Sequence, residues 1–190
     1  MNEEKLIGRA AKGDASAFND LLGMHEKRMY AVCLRMCGNH EDAQDCLQES
    51  MLRVYRAISG FKGQSSFSTW VYRVTMNTCL DELRKKKNKQ TASLDGLLDS
   101  GGSPSDDLDT PEHHAIAVEK KQAIRSAIAE LPEDMRSAVV LRDVEGFSYD
   151  EISGILGINV GTIKSRISRG REKLREKIRL RPELFDKENV

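Results

Sequence analysis

No stretch of this chain approaches the roughly 18 consecutive apolar residues that a bilayer-spanning helix needs. Its longest apolar runs, such as Ala138-Val139-Val140-Leu141, are only a few residues long. Nor is there a basic and then apolar export signal near the start, where Glu3 and Glu4 stand. The expectation is a cytoplasmic protein with no membrane insertion. Aromatic residues are scarce at 5%, so any core is aliphatic and modest, which suits small helical units better than one large sandwich or barrel. The four cysteines, at 33, 37, 46 and 79, form no C-x-x-C pair, and the histidines at 25, 40, 113 and 114 show no regular ligand spacing. The thiols read as buried or half-buried groups of a reducing compartment. The alternative is a redox or metal role, because Cys33 and Cys37 lie one helical turn apart. A P-loop, an H-E-x-x-H pair and a Ser/His/Asp or paired-carboxylate arrangement in a Gly-rich site are all missing. No enzyme is expected, no metal site is assigned, and no cofactor is implied.

What is present is charge, and it is patterned. Bases and acids balance at 30 each. Residues 1–90 nevertheless hold 15 bases against 11 acids, 91–114 no base and six acids, and 115–190 15 bases against 13 acids. The stretch 162–181 alone has nine bases and two acids. Two basic units flank an acidic spacer, so a neutral total does not argue against a nucleic-acid partner.

The spacer is rich in Ser, Gly, Asp and Pro, with little apolar periodicity, and reads as a linker over 91–114. On either side apolar residues recur at i, i+3, i+4 without the alternation of strands. The fold class expected is all-α: two small helical domains, 1–90 and 115–180, joined by a flexible acidic linker, with a tail at 181–190. In the first half, one helix through Met29, Val32, Cys33 and Met36 ends at Gly38. Asn39 caps the next, whose apolar stripe is Ala43, Leu47, Met51, Val54 and Ile58. A turn at Ser59-Gly60 leads to Phe61, and a helix from near Ser66 runs to about Lys87. In the second half a helix over about 115–130 stops at Leu131-Pro132, and another passes through Met135, Val139, Val140 and Val144.

The most informative stretch follows. Ser148-Tyr149-Asp150-Glu151 is a capping box, with Phe147 and Ile152 spaced as a hydrophobic staple. Gly157 ends that helix and Asn159 caps another, giving a helix-turn-helix. At ~100° per residue, Val160, Ile163, Ile167 and Leu174 share one face of the second helix. Opposite them lie Thr162, Ser165 and Arg169, flanked by Lys164, Arg166, Ser168 and Lys173. Short hydroxyls permit close approach to a major groove, while long cations reach phosphates or guanine edges. A solvated basic face explains most charge runs; here the cap, the turn and the positioned hydroxyls favour DNA contact.

Two ordered signatures then carry a family resemblance. Leu131-Pro132-Glu133, Leu141-Arg142, Gly146-Phe147-Ser148-Tyr149-Asp150-Glu151-Ile152, Leu156-Gly157 and Gly161-Thr162-Ile163-Lys164-Ser165-Arg166 resemble region 4 of extracytoplasmic-function sigma factors. Asp42-Ala43-Gln44-Asp45, Gln48-Glu49 and Val54-Tyr55 are similar to region 2.2. Phe61, Phe67-Ser68-Thr69-Trp70-Val71-Tyr72-Arg73, Asn77, Asp81 and Arg84 resemble regions 2.3 and 2.4. The resemblance covers roughly residues 5–88 and 112–178.

It implies a transcription initiation factor that binds core RNA polymerase and promoter DNA, in a stress or envelope-signal response. Asp42, Asp45, Gln48 and Glu49 are then expected on the clamp helices of the largest polymerase subunit, with the flap of the second-largest subunit as a further contact. Phe61, Arg73, Asn77, Arg84 and Lys85 are expected on the melted −10 element. Unstacking a base costs a few kcal/mol, which cations along the strand and a fitted pocket offset. Phe67 and Trp70 are read instead as core. Thr162, Lys164, Ser165, Arg166, Ser168 and Arg169 are expected on the −35 duplex. An anti-sigma factor is a usual partner in that family.

Two residues depart from the family pattern. Gly170 stands inside the recognition helix where alanine is common, at a cost of about 1 kcal/mol, so the C-terminal part of that helix is expected to fray or to need DNA. His25 occupies a position that is often aromatic. The competing class is a helix-turn-helix activator that is not a sigma factor. Such proteins carry an α/β receiver or sensing domain, and the N-terminal half has no strand pattern for one.

Overall fold

The computed structural model describes residues 3–92, 111–180 and 185. The centre of the expected linker, 93–110, and the expected tail, Phe185 excepted, lie outside the described residues. The elements are α1 (Glu3–Ala10), α2 (Ala15–Gly23), α3 (Glu26–Cys37), α4 (His40–Ala57), α5 (Phe67–Ala92), α6 (Pro111–Ala129), α7 (Glu133–Val139), α8 (Tyr149–Leu156) and α9 (Val160–Arg179). Among the described residues there is no strand, and no helix is long and apolar enough to cross a membrane. The all-α class stands. Helix α5 runs five residues past the expected end, and α6 starts four before its expected beginning.

Local chemistry sets most boundaries. Asp14 and Asn39 accept the backbone N–H of Ala17 and Asp42, starting α2 and α4. Ser66 does the same for Thr69 at the head of α5. Helix α3 stops at Gly38, whose φ of +84° an L side chain rarely adopts. Pro132 precedes α7 where its missing N–H costs nothing. Beyond Val139 the chain does not continue as the expected regular helix. One wide turn, Val140–Val144, closes with the Glu145 N–H donating to the Val140 carbonyl at 3.1 Å.

Two apolar clusters hold the molecule. One packs α1, α2, the start of α3 and the start of α5 around Leu21, Met29 and Val71, with Phe67 and Trp70 inside it. Both aromatics are therefore core, as read from the sequence. His25 is buried there too, its Nε2 2.9 Å from Glu3 Oε1 and its ring 5.4 Å from Phe67, which makes it a working substitute for an aromatic. The other cluster crosses between the halves. Val32, Met36, Tyr72 and Met76 of the first half share it with Leu141, Ile152, Ile155 and Ile163 of the second. The halves thus meet along a continuous apolar seam.

Polar contacts close that seam. The Tyr72 hydroxyl donates to Glu145 Oε2 at 2.9 Å, and Arg35 Nη1 lies 3.5 Å from Glu145 Oε1. The Phe147 ring meets Tyr72 edge-on at 4.8 Å. Arg136, buried in the second half, donates to the Met36 carbonyl of the first and to the Leu131 carbonyl beside it. A guanidinium taken out of water needs such acceptors.

Candidate nucleic-acid and partner interface

The helix-turn-helix forms as the sequence implies. Ser148 Oγ accepts the Glu151 N–H, and Glu151 Oε2 accepts the Ser148 N–H at 2.8 Å. These bonds from the Ser148 backbone and hydroxyl hold the Glu151 carboxyl below its ordinary range. Gly157 (φ +67°) ends α8, and Asn159 Oδ1 accepts the Thr162 N–H at 2.8 Å to start α9. Ile163, Ile167 and Gly170 form the buried stripe of α9.

Gly170 corrects one expectation. A Cβ placed there would lie 2.6 Å from Val139 Cγ2, far inside contact distance. The glycine lets α9 cross α7 closely, and α9 continues as helix to Arg179. The backbone entropy that glycine costs is offset by that close approach.

The other face of α9 carries the candidate DNA residues. Lys164, Ser165, Ser168 and Arg169 are exposed. Arg169 makes no ion pair among the described residues, so its guanidinium is free to be offered to a groove. Lys164 leans over the Tyr149 ring at 5.5 Å, and Arg142 over the same ring at 4.7 Å. Two expected members are placed differently. Thr162 is half-buried, with its hydroxyl on Asn159, so it completes the helix cap. Arg166 turns along the flank to Asp134, 3.4 Å away.

On α5, Arg73, Asn77, Arg84 and Lys85 are all exposed, with Arg73, Asn77 and Arg84 in one row along the helix. Phe61 is not free in the same way. It is half-buried, with its ring 5.2 Å from Trp70 and 5.5 Å from Phe67, so it packs on the first turn of α5. Arg84 and Arg166 line one cleft of about 740 Å³ between the two halves.

The four acidic and amide candidates on α4 separate into two pairs. Asp45 and Gln48 are exposed. Asp42 is tied inward by Lys86 and Asn39. Burial pushes its carboxyl up, but those two partners outweigh burial and hold it low. Glu49 accepts from Arg53 Nε at 2.8 Å, and Arg53 also reaches Asp81 at 3.0 Å. The hydrogen bond to Arg53 lowers the Glu49 carboxyl likewise. Helical spacing continues the exposed row through Leu52 and Tyr55, 48% and 52% accessible. Sequence reasoning assigned neither to the polymerase contact, although Tyr55 stands in the stretch that resembles region 2.2. Their displacement by one residue from Met51 and Val54 was the available signal.

A helical protein built in two halves, one ending in a basic helix-turn-helix, is the class that fold and surface define. The sigma-70 region 2 family matches residues 21–89 and the sigma-70 region 4 family residues 121–174. The chain is 37% identical to the ECF RNA polymerase sigma factor SigW of Bacillus subtilis, covering 94% of this chain and 98% of that protein. It is 35% identical to the ECF RNA polymerase sigma-E factor of Haemophilus influenzae, over 94% and 96% of the two chains. The fold is similar to that of the sigma factor RpoE solved with the anti-sigma factor NepR from Bartonella quintana. That match has a TM-score of 0.72 and 24% identity, and covers 86% of this chain and 97% of the other. The chain belongs to the ECF RNA polymerase sigma factors.

Proposed function

We propose that this sigma factor directs core RNA polymerase to promoters by a division of labour between the halves. The first half docks on the clamp helices of the largest polymerase subunit through the exposed row Asp45, Gln48, Leu52 and Tyr55 on α4. Asp42, through Lys86, and Arg53, through Asp81, hold α4 against α5, with Glu49 positioning Arg53, so that the row is presented correctly. Arg73, Asn77, Arg84 and Lys85 follow the separated −10 strand, with the Phe61 loop beside them. The second half lays α9 in the −35 major groove. Arg169 and Lys164 offer the long donors there, and Ser165 and Ser168 the close approach. The flap of the second-largest subunit and an anti-sigma factor are further expected partners of this half and of the whole chain.

The observation that carries this reading is the two-sided build of α9. One face is locked by Ile163, Ile167 and Gly170, while Arg169 stands opposite without a partner among the described residues.

This reading carries a requirement. Elements about 25 base pairs apart are separated by roughly 85 Å of duplex at ~3.4 Å per base pair. We infer that halves packed as in this structure, with Arg84 of α5 and Arg166 of α9 lining one cleft, do not span that distance, and that the seam opens when polymerase and promoter are engaged. The test is run-off transcription with core polymerase on genomic fragments. Discrete starts that depend on this protein support the proposal, and their absence from every template rejects it.

A further inference from the structure

Every cysteine of the chain lies in one place. Cys33 and Cys37 stand on α3, Cys46 on α4 and Cys79 on α5. The Sγ atoms of Cys37, Cys46 and Cys79 all lie within 4.8 Å of one another. The Cys37 and Cys46 sulfurs are 3.5 Å apart, and the Cys79 thiol donates to Cys33 Sγ at 3.7 Å. Cys33, Cys46 and Cys79 are buried, while Cys37 is half-exposed. Filling an aliphatic core accounts for any one buried thiol, since cysteine packs as a small hydrophobe. It gives no reason for all four to converge from three helices while the rest of the chain has none.

We propose that Cys37, Cys46 and Cys79 form a three-sulfur site for a thiophilic cation of the Zn2+ class. Sulfurs bound to zinc at about 2.3 Å sit about 3.8 Å from each other in a tetrahedron. The Cys37–Cys46 separation is already close to that edge, and the widest pair needs to close by about 1 Å. An all-sulfur donor set selects Zn2+ or a similar soft ion and disfavours Mg2+ and Ca2+, which take oxygen ligands. Asp42, one helical turn before Cys46, is engaged by Lys86 and Asn39.

Three thiolates on a divalent ion leave one negative charge. Lys86 pairs with Asp42, one helical turn before Cys46, and Arg136 donates to the carbonyl of Met36, the residue before Cys37, so a cation stands near each of these two ligands. Half-exposed Cys37 supplies the way in. Cys33 lies outside the set, and the bond that the Cys79 thiol donates to it is given up when Cys79 ligates as thiolate. The site lies one residue from Met36, whose carbonyl takes Arg136 of the second half. A bound ion would fasten α3, α4 and α5 directly beneath the seam.

The test uses the full chain, purified with reductant under anaerobic conditions. Zn2+ is titrated in competition with a chromophoric chelator, and Co2+ is added separately as a spectroscopic probe. One equivalent of Zn2+ per chain is expected, with a Co2+ spectrum showing sulfur-to-metal charge transfer and tetrahedral ligand-field bands. Cys37→Ser, at a half-exposed position that tolerates the change, should lower Zn2+ affinity at least 100-fold with helix content unchanged by circular dichroism. Cys33→Ala should keep the ion. Absence of binding by the parent protein overturns the proposal, as does unchanged affinity in the folded Cys37→Ser variant. Loss of the ion in a folded Cys33→Ala variant overturns the three-ligand assignment.

Discussion

Tyr72 and Glu145, 73 residues apart in the chain, are joined by a 2.9 Å hydrogen bond that bridges the two halves of the protein. Burial, and then the Glu145 charge beside it, push the Tyr72 phenol above its ordinary ionisation range. Because the folded-state value is raised, the contribution of this bond is whole below about pH 10, the unperturbed tyrosine value. It is lost as pH rises through the raised value, when phenolate would face carboxylate. Tyr72→Phe should weaken the seam by about 1.5–3 kcal/mol, the range for a hydrogen bond to a charged group. Amide exchange in α8 should quicken accordingly. The variant should also lack the alkaline loosening expected of the parent protein above pH 10. Equal exchange in both proteins would count against Tyr72 as a seam contact.

Gly170→Ala tests the crossing of α9 over α7. Helix propensity alone predicts a gain of about 1 kcal/mol. The clash with Val139 predicts a loss of about 1–3 kcal/mol from overpacking. The net expectation is destabilisation in urea denaturation, relieved when Val139→Ala is added. A stabilised single variant would show that the contact yields freely.

Arg169→Ala should weaken promoter binding by holoenzyme by about 1–3 kcal/mol and relax the preference at one −35 base pair. Arg166→Ala, whose side chain is partly engaged by Asp134, should do less to base preference. If the Arg169 change weakens every duplex equally, its guanidinium touches phosphate rather than a base edge.

On α4 the exposed and the engaged residues should behave differently. Asp45→Arg and Leu52→Asp should abolish co-purification with core polymerase while leaving helix content and melting temperature near the parent values. Asp42→Ala should lower stability, since it strands Lys86 and removes a partner of Asn39. Retained polymerase binding in Leu52→Asp would remove that residue from the docking row.

Much of this fold is legible in the sequence because its rules are local. Ser148 with Glu151, Asn39, Asn159, Gly38 and Gly157 announce helix ends through chemistry confined to a few residues. The face of α9 that carries Ser165 and Arg169 follows from helical spacing alone. What escaped depends on packing between distant segments. Gly170 reads as a weak point until Val139 is placed against it. Asp42 and Glu49 read as free acids until Lys86 and Arg53 are brought beside them. Four cysteines without a motif become a cluster only when α3, α4 and α5 are assembled. The seam itself rests on Tyr72 and Met76, which look in the sequence like ordinary core residues of the first half.

Opening of the seam is a change of distance between the two halves. Fluorophores at the exposed residues Asn88 and Glu172, introduced as non-cysteine labels, report the separation of the halves. The free protein should give a short distance, and the complex with core polymerase and promoter one longer by several tens of ångströms, as ~3.4 Å per base pair over the two elements demands. An unchanged short distance in a complex that initiates transcription would contradict it.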